Sequence, residues 1–179
     1  MKKILLCFML IGIMVFSFAA CSDEAVDGNQ NENGQNGGQQ DEVEEETNYE
    51  FEHNGALIAV NMEASEVLPK LGEERSYFEA PSCAFDGIDK IYSYGSFEVH
   101  TYPSGDTDYV SAIILKDDSV VTSEGVYIGD TKDKVLGTYG EDYQNMDGAF
   151  VYEQGEGKLQ FIFVDDIVAA IEYIATESK

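Results

Sequence analysis

The sequence predicts an α+β fold of two tandem repeats. Each repeat is a short helical segment followed by an antiparallel β-meander of three or more strands, the sheets forming one joined or adjacent layer. Three observations lead there. From Tyr49 onward, aromatic and β-branched residues recur in short alternating runs, the period of half-buried strands. Turn-forming residues such as Gly95-Ser96, Gly155-Glu156-Gly157 and Asp165-Asp166 divide those runs, and short connections imply antiparallel neighbours. The third is self-similarity at an offset of 68 residues: residues 58–73 lie over 126–141, with Val67-Leu68 on Val135-Leu136 and Gly72-Glu73 on Gly140-Glu141. A fixed period of this kind marks a repeated supersecondary unit.

The chain opens Met1-Lys2-Lys3 and is then apolar through residue 20. Two cations before a short apolar run is the layout of a secretory signal. Ser17-Phe18-Ala19-Ala20-Cys21 resembles a lipobox, with Phe18 where that motif has an aliphatic residue. The resemblance implies that residues 1–20 are a signal peptide and that Cys21 carries the lipid. Two acyl chains, at about 0.8 kcal/mol per buried methylene, hold a protein on the bilayer essentially permanently. The expected location is therefore the outer face of the cell membrane.

Residues 21–49 follow as a linker. From 22 to 49 there is no Lys, no Arg and no aromatic before Tyr49, and Asn, Gln, Gly, Asp and Glu dominate. Such a segment buries too little apolar surface to offset chain entropy, so the expectation is a disordered spacer. Its root-mean-square reach is roughly 30 Å, and charge repulsion lengthens it.

Within the domain, residues 50–120 form the first expected repeat and 121–179 the second. The second helix has Asp130 as its expected cap and Gly140 as its stop. In the first helix, Pro69 removes a backbone donor, so a short, kinked or partly 3-10 helix is expected. Strand-like runs lie at 90–94, 97–102 and 109–115, then at 149–153, 158–163 and 167–174. A further short strand is expected ahead of each helix, at the start of residues 58–73 and 126–141.

The opening Val126-Tyr127-Ile128-Gly129 with Thr131, Val135 and Gly140, echoed by Val60, Val67 and Gly72, resembles the β-lactamase inhibitory protein fold. It is also similar to the small lipoproteins of outer-membrane assembly. Through Ser82-Cys83-Ala84-Phe85-Asp86-Gly87 and Glu124-Gly125-Val126-Tyr127-Ile128-Gly129, the chain is similar to uncharacterised lipoproteins of Gram-positive gut bacteria. The likeness covers about residues 56–175 and implies a fold, not an activity.

Charge excludes one class of partner. The whole chain carries −25; without residues 1–20, 8 Lys+Arg face 35 Asp+Glu, or −27. Such a surface repels nucleic acid and anionic headgroups. Of three cysteines, Cys7 falls in the signal and Cys21 takes the lipid, so Cys83 has no disulfide partner and is expected as a small buried hydrophobe.

No catalytic set emerges. A Cys83–His100 thiol–imidazole pair would need a third, orienting residue, and none is identifiable. His53 and His100 lack metal-ligand spacing, and the acid pairs, among them Asp117-Asp118 and Asp165-Asp166, do not match a calcium loop. There is no phosphate loop and no serine elbow. No cofactor, metal or enzymatic activity is therefore expected. The candidate binding face is Tyr92, Tyr94, Glu98, His100 and Tyr102, because Glu98, His100 and Tyr102 share one side of a strand whose other side carries Phe97 and Val99. The expected function is a membrane-anchored, extracytoplasmic, non-enzymatic protein- or ligand-binding module; the alternative is a structural or assembly factor of the cell envelope.

Overall fold

A computed structural model describes residues 48–176 of the chain. The expected signal segment, Cys21 and nearly all of the linker lie outside the described residues. Two strands, β1 (Phe51–His53) and β2 (Ala56–Ile58), make a hairpin. Then come β3 (Ser76–Pro81), β4 (Ile88–Ser93), β5 (Phe97–Ser104), β6 (Thr107–Leu115), β7 (Gln144–Met146), β8 (Ala149–Gln154), β9 (Gly157–Val164) and β10 (Ile167–Ala175). These eight form one antiparallel sheet in the order β3-β4-β5-β6-β10-β9-β8-β7. The helices are α1 (Ala64–Val67) and α2 (Lys132–Tyr139).

This corrects the expected α+β class. The fold is predominantly β, and α1 and α2 span only four and eight residues. The strands do not form repeated helix-plus-meander modules: all eight share one sheet and one core. Residues 126–129 form no strand either. Val126 N–H donates to Thr122 Oγ1 at 3.1 Å and its carbonyl accepts from Thr122 N–H at 2.8 Å, which closes a loop.

Local chemistry explains the elements. Asn54-Gly55, Asp147-Gly148 and Asp165-Asp166 join paired strands with both turn residues at positive φ, the two-residue turn whose twist suits a hairpin. α1 passes at once into a 3-10 turn, Leu68–Lys70, containing Pro69. Thr131, not Asp130, caps α2, accepting from Lys134 N–H at 3.2 Å; Asp130 instead accepts from Tyr127 N–H at 3.1 Å. Gly140, at φ +84°, ends that helix.

Directly opposed residues in neighbouring strands point to the same face. The register therefore traces continuous side-chain rows. One crosses Tyr77, Tyr92, Val99, Ile113, Tyr173, Leu159 and Tyr152; the next crosses Phe97, Leu115, Ile171, Phe161 and Phe150. Residues Val99 to Tyr152 and the whole second row are buried, and Phe51, Ile58, Val67, Leu71, Val126 and Val135 complete the core. The hairpin, α1 and α2 thus all cover this one face.

Phe97 sits at the middle of the packing, with ring centroids 5.1 Å from Phe51, 4.7 Å from His53 and 4.9 Å from Tyr94. Phe97→Ala is expected to cost about 3–5 kcal/mol in urea denaturation. Phe78→Ala, on the opposite face and 61% exposed, should stay within about 0.5 kcal/mol. Equal costs at the two positions would refute the assignment of faces.

Candidate functional site

The reverse face of the sheet has its own rows. The first crosses Phe78, Ile91, His100, Ala112, Ile174, Lys158 and Glu153; the second crosses Ser93, Glu98, Ile114, Glu172, Gln160 and Val151. Since successive strand residues alternate sides, these lie opposite the core rows. No described helix or hairpin strand lies over them, because β1, β2, α1 and α2 all pack on the other face. Ile91, Ala112, Ile114 and Ile174 are half-buried.

Charge is placed around and between these aliphatics. Glu98 is held on both sides: Lys116 Nζ lies 3.4 Å from Oε1 and His100 Nε2 lies 3.4 Å from Oε2. Glu172 lies one strand beyond Ile114 in the same row and belongs to none of the four ion pairs among the described residues. Residues 82–87 cover one corner, where the Phe85 ring lies 5.0 Å from that of Tyr102. A cavity of about 290 Å³ opens there, lined by Phe85, Asp89, Ile91, His100, Tyr102 and Ser111 among others.

The five residues expected to form a binding face do not lie on one surface. Glu98 and His100 are on the uncovered face. Tyr92 opposes the buried Val99 and Tyr94 stacks on Phe97, so both belong to the covered side. Tyr102 is only 3% exposed, and its hydroxyl donates to Asn61 Oδ1 at 2.9 Å. Asn61 in turn donates to Glu156 Oε2 at 3.0 Å, which makes Tyr102 part of a buried strut between β5 and the β8–β9 turn. The register shifts between His100 and Thr101, where Ser111 is the extra residue on β6.

Cys83 is exposed, a correction to its expected burial. It sits in a surface loop where Ser82 Oγ accepts from the N–H groups of Ala84 and Phe85 at 3.3 and 3.2 Å. His100 engages Glu98. Among the described residues no three His, Cys, Asp or Glu side chains gather as a metal site. The residues that sequence reasoning missed are those across the seam, Ile114, Glu172, Ile174, Gln160 and Lys158, and the edge residue Phe78. Their alternation was visible in the sequence, but the joining of β6 to β10 that aligns them was not.

Perturbed tyrosines belong to the covered side. Burial pushes the Tyr94 and Tyr152 hydroxyls up from 10.0 to about 12. Tyr139 and Tyr173 are raised further, again chiefly by burial. Tyr139 also donates to Glu124 and accepts from the Thr122 hydroxyl at 2.8 Å. In the unfolded chain these groups lose their protons at the ordinary value, while the folded chain keeps them. Their contribution to stability is therefore complete below pH 10 and lost as pH rises through the folded values. The urea midpoint should fall steeply between pH 10 and pH 12. Ultraviolet titration should show fewer than the 11 tyrosines ionised while the chain stays folded. Ionisation of all of them at the ordinary value in the folded protein would contradict this.

No protein-family model, curated protein sequence or solved structure matches the chain.

Proposed function

We propose that this chain is an extracytoplasmic lipoprotein whose domain is a non-enzymatic protein-binding module, with the uncovered face of the eight-stranded sheet as its partner surface. The observation that carries this is the pattern of Ala112, Ile114 and Ile174, half-buried, under no described helix or hairpin strand, and interleaved with Glu98, Glu172 and Lys158. An apolar centre with polar groups about it is the make-up of a protein interface. The seven strands other than β7 span about 29 Å at about 4.8 Å spacing, and about six residues of strand add about 20 Å, so the face offers roughly 600 Å². That approaches the roughly 800 Å² per partner of a standard interface.

Attachment in this reading is through Cys21 and the acidic linker. No described helix is long and apolar enough to cross a membrane, and a lipid anchor requires none. Labelled palmitate fed to cells should enter the parent chain and not a Cys21→Ser variant; an unlabelled parent would remove the anchor from the proposal.

The face is tested by cross-linking and pull-down of the full chain in its own cells. Ile114→Lys, at the centre of the face, should abolish recovery of the specific partner. Leu57→Lys, on the hairpin and 48% exposed, should leave recovery unchanged. A partner retained by Ile114→Lys would eliminate this face as the binding surface.

A further inference from the structure

We propose that the free edge of β3 is a self-association site, where a second copy of this chain adds its own β3 antiparallel about a two-fold axis at Phe78. An open sheet has two edges, and proteins blunt them with short strands, lysines, prolines or bulges. At one edge, β7 is three residues long. At the other, β3 is six residues long, contains no lysine and pairs with β4 without a register break from Ser76 to Pro81. It also bears two exposed aromatics, Phe78 at 61% and Tyr77 at 45%.

The phase of the ladder shows what this edge presents. Ser82 N–H donates to the Gly87 carbonyl at 3.0 Å, which continues the β3–β4 register by one pair. Bonded and non-bonded pairs alternate in an antiparallel ladder. Ser76, Phe78 and Ala80 therefore bond to β4, while Tyr77 and Glu79 turn N–H and C=O outward. Pro81 has no N–H and ends the free ladder.

Two outward residues flanking Phe78 are self-complementary. With the axis at Phe78, Tyr77 opposes Glu79 of the second copy and Glu79 opposes its Tyr77, and each pair exchanges two backbone bonds. The Tyr77 hydroxyl already donates to Glu79 within its own chain, so a hydroxyl meets a carboxylate at every pairing and no acid meets an acid. The register centred on Glu79 would oppose two carboxylates, which is destabilising. The register centred on Tyr77 would need Arg75, whose guanidinium packs so closely on Gly95 that a Cβ there would meet Cζ at 2.8 Å. Pairing at Phe78 brings the two Phe78 rings together on the uncovered face and makes the two sheets continuous. This inference rests on backbone pairing at the edge, and Phe78 is the one residue it shares with the proposed partner face.

The test is disulfide trapping of the full chain in its own cells, with Cys83→Ser as parent. Opposed residues of a non-bonded antiparallel pair have Cα atoms about 4.5 Å apart, within the span of a disulfide. Phe78→Cys should therefore give a disulfide-linked dimer under mild oxidation. Glu79→Cys should not, because the two copies of that residue would lie about 8–9 Å apart, beyond that span. Leu57→Cys measures chance collision at comparable exposure. The expected result is dimer formation by Phe78→Cys at least about tenfold faster than by either control. Equal or faster trapping at Glu79→Cys would overturn the register. A Phe78→Cys rate no higher than that of Leu57→Cys, or adducts with other chains in place of dimer, would overturn self-association. Phe78 is exposed, so none of these outcomes is confused with failure to fold.

Discussion

The pairing of β10 against β6 is the constraint on which the rest depends. It is short, running from Ile171 opposite Leu115 to Ile174 opposite Ala112. Without it, β3–β6 and β7–β10 would be two four-stranded ribbons, each needing its own cover. With it, Val99, Ile113, Tyr173 and Leu159 fall into one buried row across the join. Each seam strand also has a second half that turns to another partner. β6 shifts register at Ser111 and takes the segment ahead of α1: Asn61 N–H donates to Val110 O at 2.8 Å, and Val110 N–H to Met62 O at 2.9 Å. β10 shifts register at Ala169 and takes the segment ahead of α2: Gly129 N–H donates to Val168 O at 2.9 Å, and Val168 N–H to Asp130 O at 2.8 Å. The bulges thus satisfy the backbone of both seam strands where they part.

That arrangement also decides which face stays bare. The segments bonded to the seam lead directly into α1 and α2, and both helices place a fully buried valine, Val67 and Val135, in the same core. The hairpin adds Phe51 and Ile58 on that side. The chain entering the domain is fixed there too: Asn48 donates to Val60 O at 3.1 Å and accepts from Glu156 N–H at 2.7 Å. Every described element outside the sheet is therefore committed to one face. On the other face residues 82–87 cover one corner, and no described helix or hairpin strand covers the remaining aliphatics.

Much of this was legible in the sequence, and the failures have physical causes. The alternation at 97–102, 109–115, 158–163 and 167–174 located four long strands, because one-sided burial imposes a period of two. The offset of 68 marked equivalent backbone demands: Asn61 and Gly129 both take positive φ, as do Gly72 and Gly140. What stayed illegible was long-range. Ile91-Tyr92-Ser93-Tyr94 has a large apolar or amphipathic side chain on both sides, so only its register against Val99 reveals that the tyrosines face the core. Asp130 and Thr131 are adjacent and both can cap a helix, and the bridge of Thr131 to Ile167 of β10 selects Thr131. Two short helices could not divide the strands into separately covered layers, and no local signal announces that two meanders will merge.

The two surfaces of this domain differ in the partners they admit. A protein closing over the bare face must strip water from Glu172, which lies between Ile114 and Gln160 without an ion-pair partner among the described residues. An uncompensated buried charge is costly, so a fitting partner brings a cation to that point. Glu98 makes a weaker demand, since Lys116 and His100 already hold it. A formal charge of −27 on the chain beyond residue 20 draws such a basic partner in and repels acidic ones. The β3 edge works by a different chemistry: backbone bonds supply the attraction, and a hydroxyl opposite each carboxylate removes the need for a cation. Salt therefore separates the two. Screening weakens a cation meeting Glu172, but it relieves the repulsion between two acidic copies that meet edge to edge.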